Sequence, residues 1–170
     1  MPTYTQDTIE KLMDGDLPWS QIKSIMSSYK DADRFEKYLS VLQERVPWED
    51  TILLPLGPNL FIVQTSDGRR ITKGLSRHEF GDYRENWKLK ARIRVRRTAE
   101  EFQELYPKYM HATPGWMELR EYFDPVSGAL LEVEAVPPGY PVVHSFQPDL
   151  ETFYNEWLGK PLPPRSNGQS

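Results

Sequence analysis

Three histidines, His78, His111 and His144, are the side chains best suited to proton transfer near neutral pH, and they stand far apart in the chain. None has the i, i+4 spacing that puts two imidazoles on one helix face for a metal, and no serine sits in a nucleophile-elbow sequence. Cysteine is absent, which removes thiol nucleophiles, disulfides and thiolate metal sites together. No Walker loop or GxGxxG is present to cradle a nucleotide. Among the carboxylates, Glu100 and Glu101 fall at a helix start, while Glu118, Glu121, Glu132 and Glu134 alternate along extended segments, where the face turned to water carries charge. The residue types therefore predict no catalytic, cofactor-binding or metal-ligating constellation.

Two other features could bind. Arg84, Lys88, Lys90, Arg92, Arg94, Arg96 and Arg97 lie close together, beside Tyr83 and Trp87. Cations that track phosphates next to rings that stack on bases would make a platform for single-stranded nucleic acid along residues 88–97. The same pattern also fits a surface for an acidic protein partner, or the solvated face of a sheet. The five tryptophans, Trp19, Trp48, Trp87, Trp116 and Trp157, stand in polar contexts and are candidates either for interface anchors or for a small core.

The elements that must place these groups are legible from periodicity. Asp7 and Glu10 open a helix that Gly15 ends, Pro18 starts a second helix, and Asp31 opens a third with Phe35, Tyr38, Leu39 and Leu42 on one face. Three short amphipathic helices need a neighbour or a partner chain to bury their apolar faces. After Pro47 the period becomes extended: strands are predicted at 51–54, 59–65 and 69–73, with the first two broken at Pro55–Pro58 and the last pair joined by a Ser66-Asp67-Gly68-Arg69 hairpin turn. Residues 74–86 are predicted to be loop. From Lys88 to Arg96 apolar and basic residues alternate as in a strand, and Thr98 with Glu101 forms a capping box for a helix to about residue 110.

"REYFDPVSGALLEVEA", residues 120–135, is a hairpin with an unusual turn. Asp124 before Pro125 and Gly128 at a left-handed position let the backbone reverse, with Asp124 and Ser127 bonding it from their side chains. Asp149 opens a closing helix, and "KPLPPRSNGQS" is expected to be an extended tail. The predicted class is α+β, with short N-terminal helices, a central antiparallel β region, an inserted helix and a C-terminal helix. The expected organisation is a helical segment over 1–46, a β-rich domain over 47–160 and a tail over 161–170.

The length of 170 residues suits one domain. A net charge of −4 gives the whole molecule no attraction for polyanions, so nucleic-acid binding would have to rest on the local basic strand. The longest apolar runs fall far short of the roughly 18 residues that span a bilayer, and no signal-peptide pattern opens the chain, so a cytoplasmic location is expected.

"LQERVPWEDTILLPLGPNLFIVQ", "DYRENWKLKARIRVR", "REYFDPVSGALLEVEA" and "YPVVHSFQPDLETFYNEWLGKPLP" together resemble the small, gamma-type subunit of the acetone and acetophenone carboxylase family, in the same order and over about residues 5–164. The resemblance implies a hetero-oligomeric, cytoplasmic, ATP-dependent carboxylase that joins bicarbonate to a ketone. ATP and divalent metal would sit on large hydantoinase- and oxoprolinase-like subunits, and this chain would be an accessory structural subunit without catalytic residues, touching neither nucleic acid nor membrane. It also implies a zinc-ribbon-like β region with two cysteine clusters. Here the corresponding positions are Gly74, Ser76 and Gly81, with His78 beside them, and Asp124 and Ser127 in the hairpin turn. Hydroxyls are weak zinc ligands, so the expectation is a hairpin that keeps the knuckle shape without an ion. The missing cysteines mark a divergent member, and an aromatic ketone is the substrate this divergence favours.

Overall fold

The computed structural model describes residues 4–164 of the chain. Helix α1 (Gln6–Asp14) is capped by the Thr5 hydroxyl, which accepts from the Thr8 amide, and not by Asp7; Asp7 lies in the first turn and pairs with Lys11 at 2.8 Å. Gly15 ends the helix at φ 77°, as its position predicts. Helices α2 (Trp19–Ser27) and α3 (Arg34–Arg45) follow, the latter stopping before Pro47.

Four strands then form an antiparallel meander in sequence order: β1 (Thr51–Gly57), β2 (Leu60–Gln64), β3 (Arg70–Gly74) and β4 (Glu79–Asp82). Strand β1 runs through Pro55, where a break was expected. It can do so because β1 is an edge strand, and an edge strand can spare the N–H that proline lacks. Strand β4 falls in the segment expected to be loop. The β3–β4 turn is tight, with Arg77 at φ 78° and the Gly74 amide donating to the His78 carbonyl at 2.8 Å.

Alternation along β1 and β2 sends Ile52, Phe61 and Val63 to one side of this sheet and Leu53 and Ile62 to the other. α3 covers the first side with Leu39 and Leu42, so it buries its stripe within the chain. α1 is tied to α3 by Arg45, which reaches Asp14 at 2.6 Å and Glu10 at 3.0 Å. The closing helix, α5 (Leu150–Thr152), continues as a π turn over Phe153–Trp157 and covers the second side with Leu150 and Tyr154. Leu162 is buried in the same cluster, and Arg70 and Gln64 donate to the Pro163 and Pro164 carbonyls, so residues 161–164 lie on the sheet. The rest of the expected tail, 165–170, lies outside the described residues.

The Tyr154 hydroxyl donates to the Leu53 carbonyl at 2.8 Å, and burial pushes its pKa up to about 12. Tyr154→Phe is expected to lower stability by about 1 kcal/mol, read as a small drop in the thermal midpoint.

A second antiparallel sheet has the order β5 (Arg92–Arg96), β6 (Glu118–Phe123), β7 (Leu130–Val136). The strand expected from Lys88 begins only at Arg92, because Trp87–Lys90 form a 3-10 turn that Asn86 caps by accepting from the Lys88 amide. Helix α4 (Ala99–Gln103) has the expected Thr98–Glu101 capping box but ends well before residue 110. Leu60, Phe80, Trp87 and Tyr122 form the cluster that joins the two sheets. The α+β class with antiparallel sheets agrees with the sequence.

Candidate functional site

The β3–β4 turn and the β6–β7 turn meet through Asp124, a residue only 1% exposed. Its Oδ1 accepts from the Val126 amide at 2.8 Å and the Ser127 amide at 3.0 Å, an Asx turn enforced by Pro125. Its Oδ2 accepts from the Ser76 hydroxyl at 2.6 Å across the gap between the two turns. Gly128 takes the left-handed conformation, φ 72°, and donates to the Asp124 carbonyl at 2.9 Å, while the Ser127 hydroxyl accepts from the Ala129 amide at 3.2 Å. The side-chain bonds expected of Asp124 and Ser127 are thus present, and Ser76 adds one between the turns.

Gly74 is part of this arrangement for a steric reason, since a Cβ there would fall well inside van der Waals distance of Asp124 Oδ2. His78 is held by a bond from its amide to the Ser76 hydroxyl at 3.3 Å and packs its ring edge-on against Phe80. Gly81 does not belong to the group: its Cα faces the Lys90 ammonium and the Glu85 carboxylate. As a zinc donor set these residues fit poorly, because the single carboxylate already accepts on both oxygens and the other oxygen donors, Ser76 and Ser127, are neutral hydroxyls. Among the described residues no group of three or more His, Asp or Glu side chains converges as a metal site.

Burial alone would raise the Asp124 pKa; the Ser76 hydroxyl, the Ser127 and Val126 amides and the nearby His78 outweigh it and hold it below the usual carboxylate range. Asp31 is also buried, and the Arg34 and Lys37 side chains with a backbone donor overcome that burial to bring its pKa to about 2. Both pKa values are lower in the folded than in the unfolded chain. The stability they give is complete above 3.8 and is lost as pH falls through the folded values. The urea midpoint is expected to be flat from neutrality to about pH 5 and to fall steeply below about pH 4.

The second sheet holds what the sequence did not reveal. Glu118 and Glu121, expected on a solvated face, are 2% and 6% exposed, and Arg96 and Arg120 are buried with them. Arg96 donates to Glu121 at 2.7 Å and to Glu104 at 2.6 Å, and Arg120 donates to Glu118 at 2.6 Å. The Arg97 guanidinium, with Arg120, holds Glu118 below the usual range despite its burial.

Lys88, placed by alternation on a basic surface, is fully buried: its ammonium donates to Glu132 at 2.5 Å, Glu134 at 3.1 Å and Ser145 at 3.1 Å, over the Tyr122 ring. The Tyr122 hydroxyl donates to Glu134, and burial pushes its pKa well up. A signal for this was present in the sequence, since cations on one extended segment faced glutamates on the next two. With Lys88 and Arg96 inside, the basic strand is not a continuous platform.

The tryptophans divide: Trp87 is core, Trp48 packs edge-on against Phe61, and Trp19, Trp116 and Trp157 are exposed. His111 stacks on Phe102 and lies apart from the other histidines in sequence and in its contacts.

The family model described as acetone carboxylase gamma subunit matches residues 46–158, a span that takes in both sheets and both turns. The chain belongs to the acetone carboxylase gamma subunit family. The acetone carboxylase gamma subunit of Xanthobacter autotrophicus (strain ATCC BAA-1158 / Py2) is 47% identical to it over 165 residues, which covers 96% of this chain and 98% of that protein. The gamma subunit likeness therefore extends through the N-terminal helices, which the family model leaves out. At the second sheet the buried Lys88, Arg96, Arg120, Glu118 and Glu121 each have a partner of opposite sign. Among the described residues no helix is long and apolar enough to cross a membrane.

Proposed function

We propose that this chain is an accessory, non-catalytic subunit of a multi-subunit, ATP-dependent ketone carboxylase, which joins bicarbonate to a ketone to give a β-keto acid in the cytoplasm. The observation that carries the reading is the likeness to an acetone carboxylase gamma subunit along nearly the whole length of both chains. It also favours an acetone-type ketone over an aromatic one, since that likeness persists despite the missing cysteines. ATP and a divalent metal would be handled by large hydantoinase- and oxoprolinase-like subunits.

This chain's own part is to present a rigid body to those subunits. Supporting that role, Lys88, Arg96, Arg120, Glu118 and Glu121, the charged groups buried at the second sheet, are held in internal ion pairs rather than aimed into a cleft. The two turns joined by Asp124 would keep their form without a metal.

The test is an assay of ATP- and bicarbonate-dependent ketone loss by the large subunits with and without this chain. Acetone consumption is expected from the complete complex and none from this chain alone. Turnover by the isolated chain, or a preference of the complex for acetophenone, would overturn the corresponding part of the reading.

A further inference from the structure

Residues 99–110 have the apolar spacing of a helix with a buried stripe, yet the structure buries little of it. α4 ends at Gln103, and of the stripe only Phe102 is covered, at 1% exposure. Tyr109, Met110 and Trp116 are 87%, 73% and 79% exposed, with Leu105 and Tyr106 half out beside them. Apolar side chains of this size gathered in one excursion between β5 and β6 mark a binding surface more than a solvated loop. Tyr109 also holds φ 71°, a left-handed conformation costly for an aromatic residue, with the Lys108 ammonium over its ring as its neighbour. Glu104 ties the excursion to the sheet through Arg94 at 2.7 Å and Arg96 at 2.6 Å, so it is presented on a firm base.

The charge around it has a definite sign. Residues 92–116 contain five cations and three carboxylates, in a chain whose net charge is −4. Of the carboxylates, Glu104 is taken by Arg94 and Arg96, and Glu101 accepts from the Arg97 and Thr98 amides in the capping box. Glu100 remains at the start of α4. Arg92 is exposed and has no ion-pair partner among the described residues.

We propose that the 105–116 excursion, which carries Lys108 and adjoins the strand of the unpaired Arg92, is the surface by which this chain docks onto a large carboxylase subunit, on an apolar patch bordered by acidic side chains. The inference rests on the subunit reading above. Exposed Tyr and Trp side chains are the residue types that carry most of an interface's energy, and these two cations select an acidic partner and speed encounter.

The test is co-expression of the full chain with the hydantoinase-like large subunits, with the affinity for them measured by titration and the assembly by native mass. Tyr109→Ala with Trp116→Ala is expected to weaken assembly about 100-fold. Arg92→Glu is expected to slow association about tenfold at low salt, with less effect at high salt, whereas Arg84→Glu, the same charge change on the β4 side, leaves assembly as it is. Tyr109→Gly separates docking from folding: it removes the left-handed strain, so the thermal midpoint should not fall while assembly weakens.

Aromatic variants that assemble like the wild type would overturn the proposal. So would variants that lose only self-association, or only binding to a single-stranded oligonucleotide, with assembly intact. A wild-type chain that never assembles with the large subunits would instead contradict the subunit reading itself.

Discussion

Lys88→Met is expected to lower the stability of the folded chain by about 3 kcal/mol, because it keeps the apolar stem and removes only the buried ammonium. For a domain of this size that is a fall of roughly 6–12 °C in the thermal midpoint. The ammonium supplies donors to Glu132, Glu134 and Ser145 at once, and without it Glu134 keeps only Tyr122 and a distant Arg120. Glu132 is partly exposed and can recover some hydration, which is why the expected loss sits at the low end for a broken buried pair. Adding Glu134→Gln to Lys88→Met is expected to restore part of the loss, since the uncompensated carboxylate then goes as well. A Lys88→Met chain that melts with the wild type would show that the ion cluster of the second sheet adds nothing to stability.

The second large effect concerns the joined turns. Asp124→Ala removes the acceptor for two turn amides and for the Ser76 hydroxyl, and is expected to cost about 3 kcal/mol. Gly74→Ala is expected to cost about 1–3 kcal/mol by overpacking, since the new methyl meets a carboxylate that its three bonds keep from moving aside. The two costs should not add. With Asp124 already shortened the methyl has space, so a double-mutant cycle is expected to give a coupling of about 1–2 kcal/mol. Additive costs in urea unfolding would mean that Gly74 and Asp124 do not constrain each other.

These two sites mark where sequence reading succeeds and where it stops. The Asp124 turn was legible because its causes are local: Asp before Pro fixes the reversal, and Gly128 takes the left-handed step. For the same reason Gly15, the Thr98–Glu101 box and the stripe of α3 were legible. Lys88 was not, because its burial is decided by Glu132 and Glu134 about 45 residues away on β7: glutamates on the later strands signal partners for the cations, but nothing in the alternation of "KLKARIRVR" says which cation turns inward to them.

The Ser76 bond to Asp124 spans 48 residues and was hidden in the same way. Gly81, a position the resemblance matches to a cysteine, has Lys90 and Glu85 against it here, a close approach that is not written in the local sequence. The helix expected to run to residue 110 fails after Gln103. Beyond Phe102 its stripe stays half or fully exposed among the described residues, so the hydrophobic period that usually predicts a core here predicts an exposed face.

We propose above that this gamma-family chain is held by larger carboxylase subunits rather than acting by itself. Native mass spectrometry of the chain co-expressed with hydantoinase- and oxoprolinase-like subunits tests it most directly. The predicted result is a stable hetero-oligomer containing this chain in fixed stoichiometry, carboxylating ketone only when complete. Recovery of the chain as a free 19.9 kDa monomer beside fully active large subunits would contradict it.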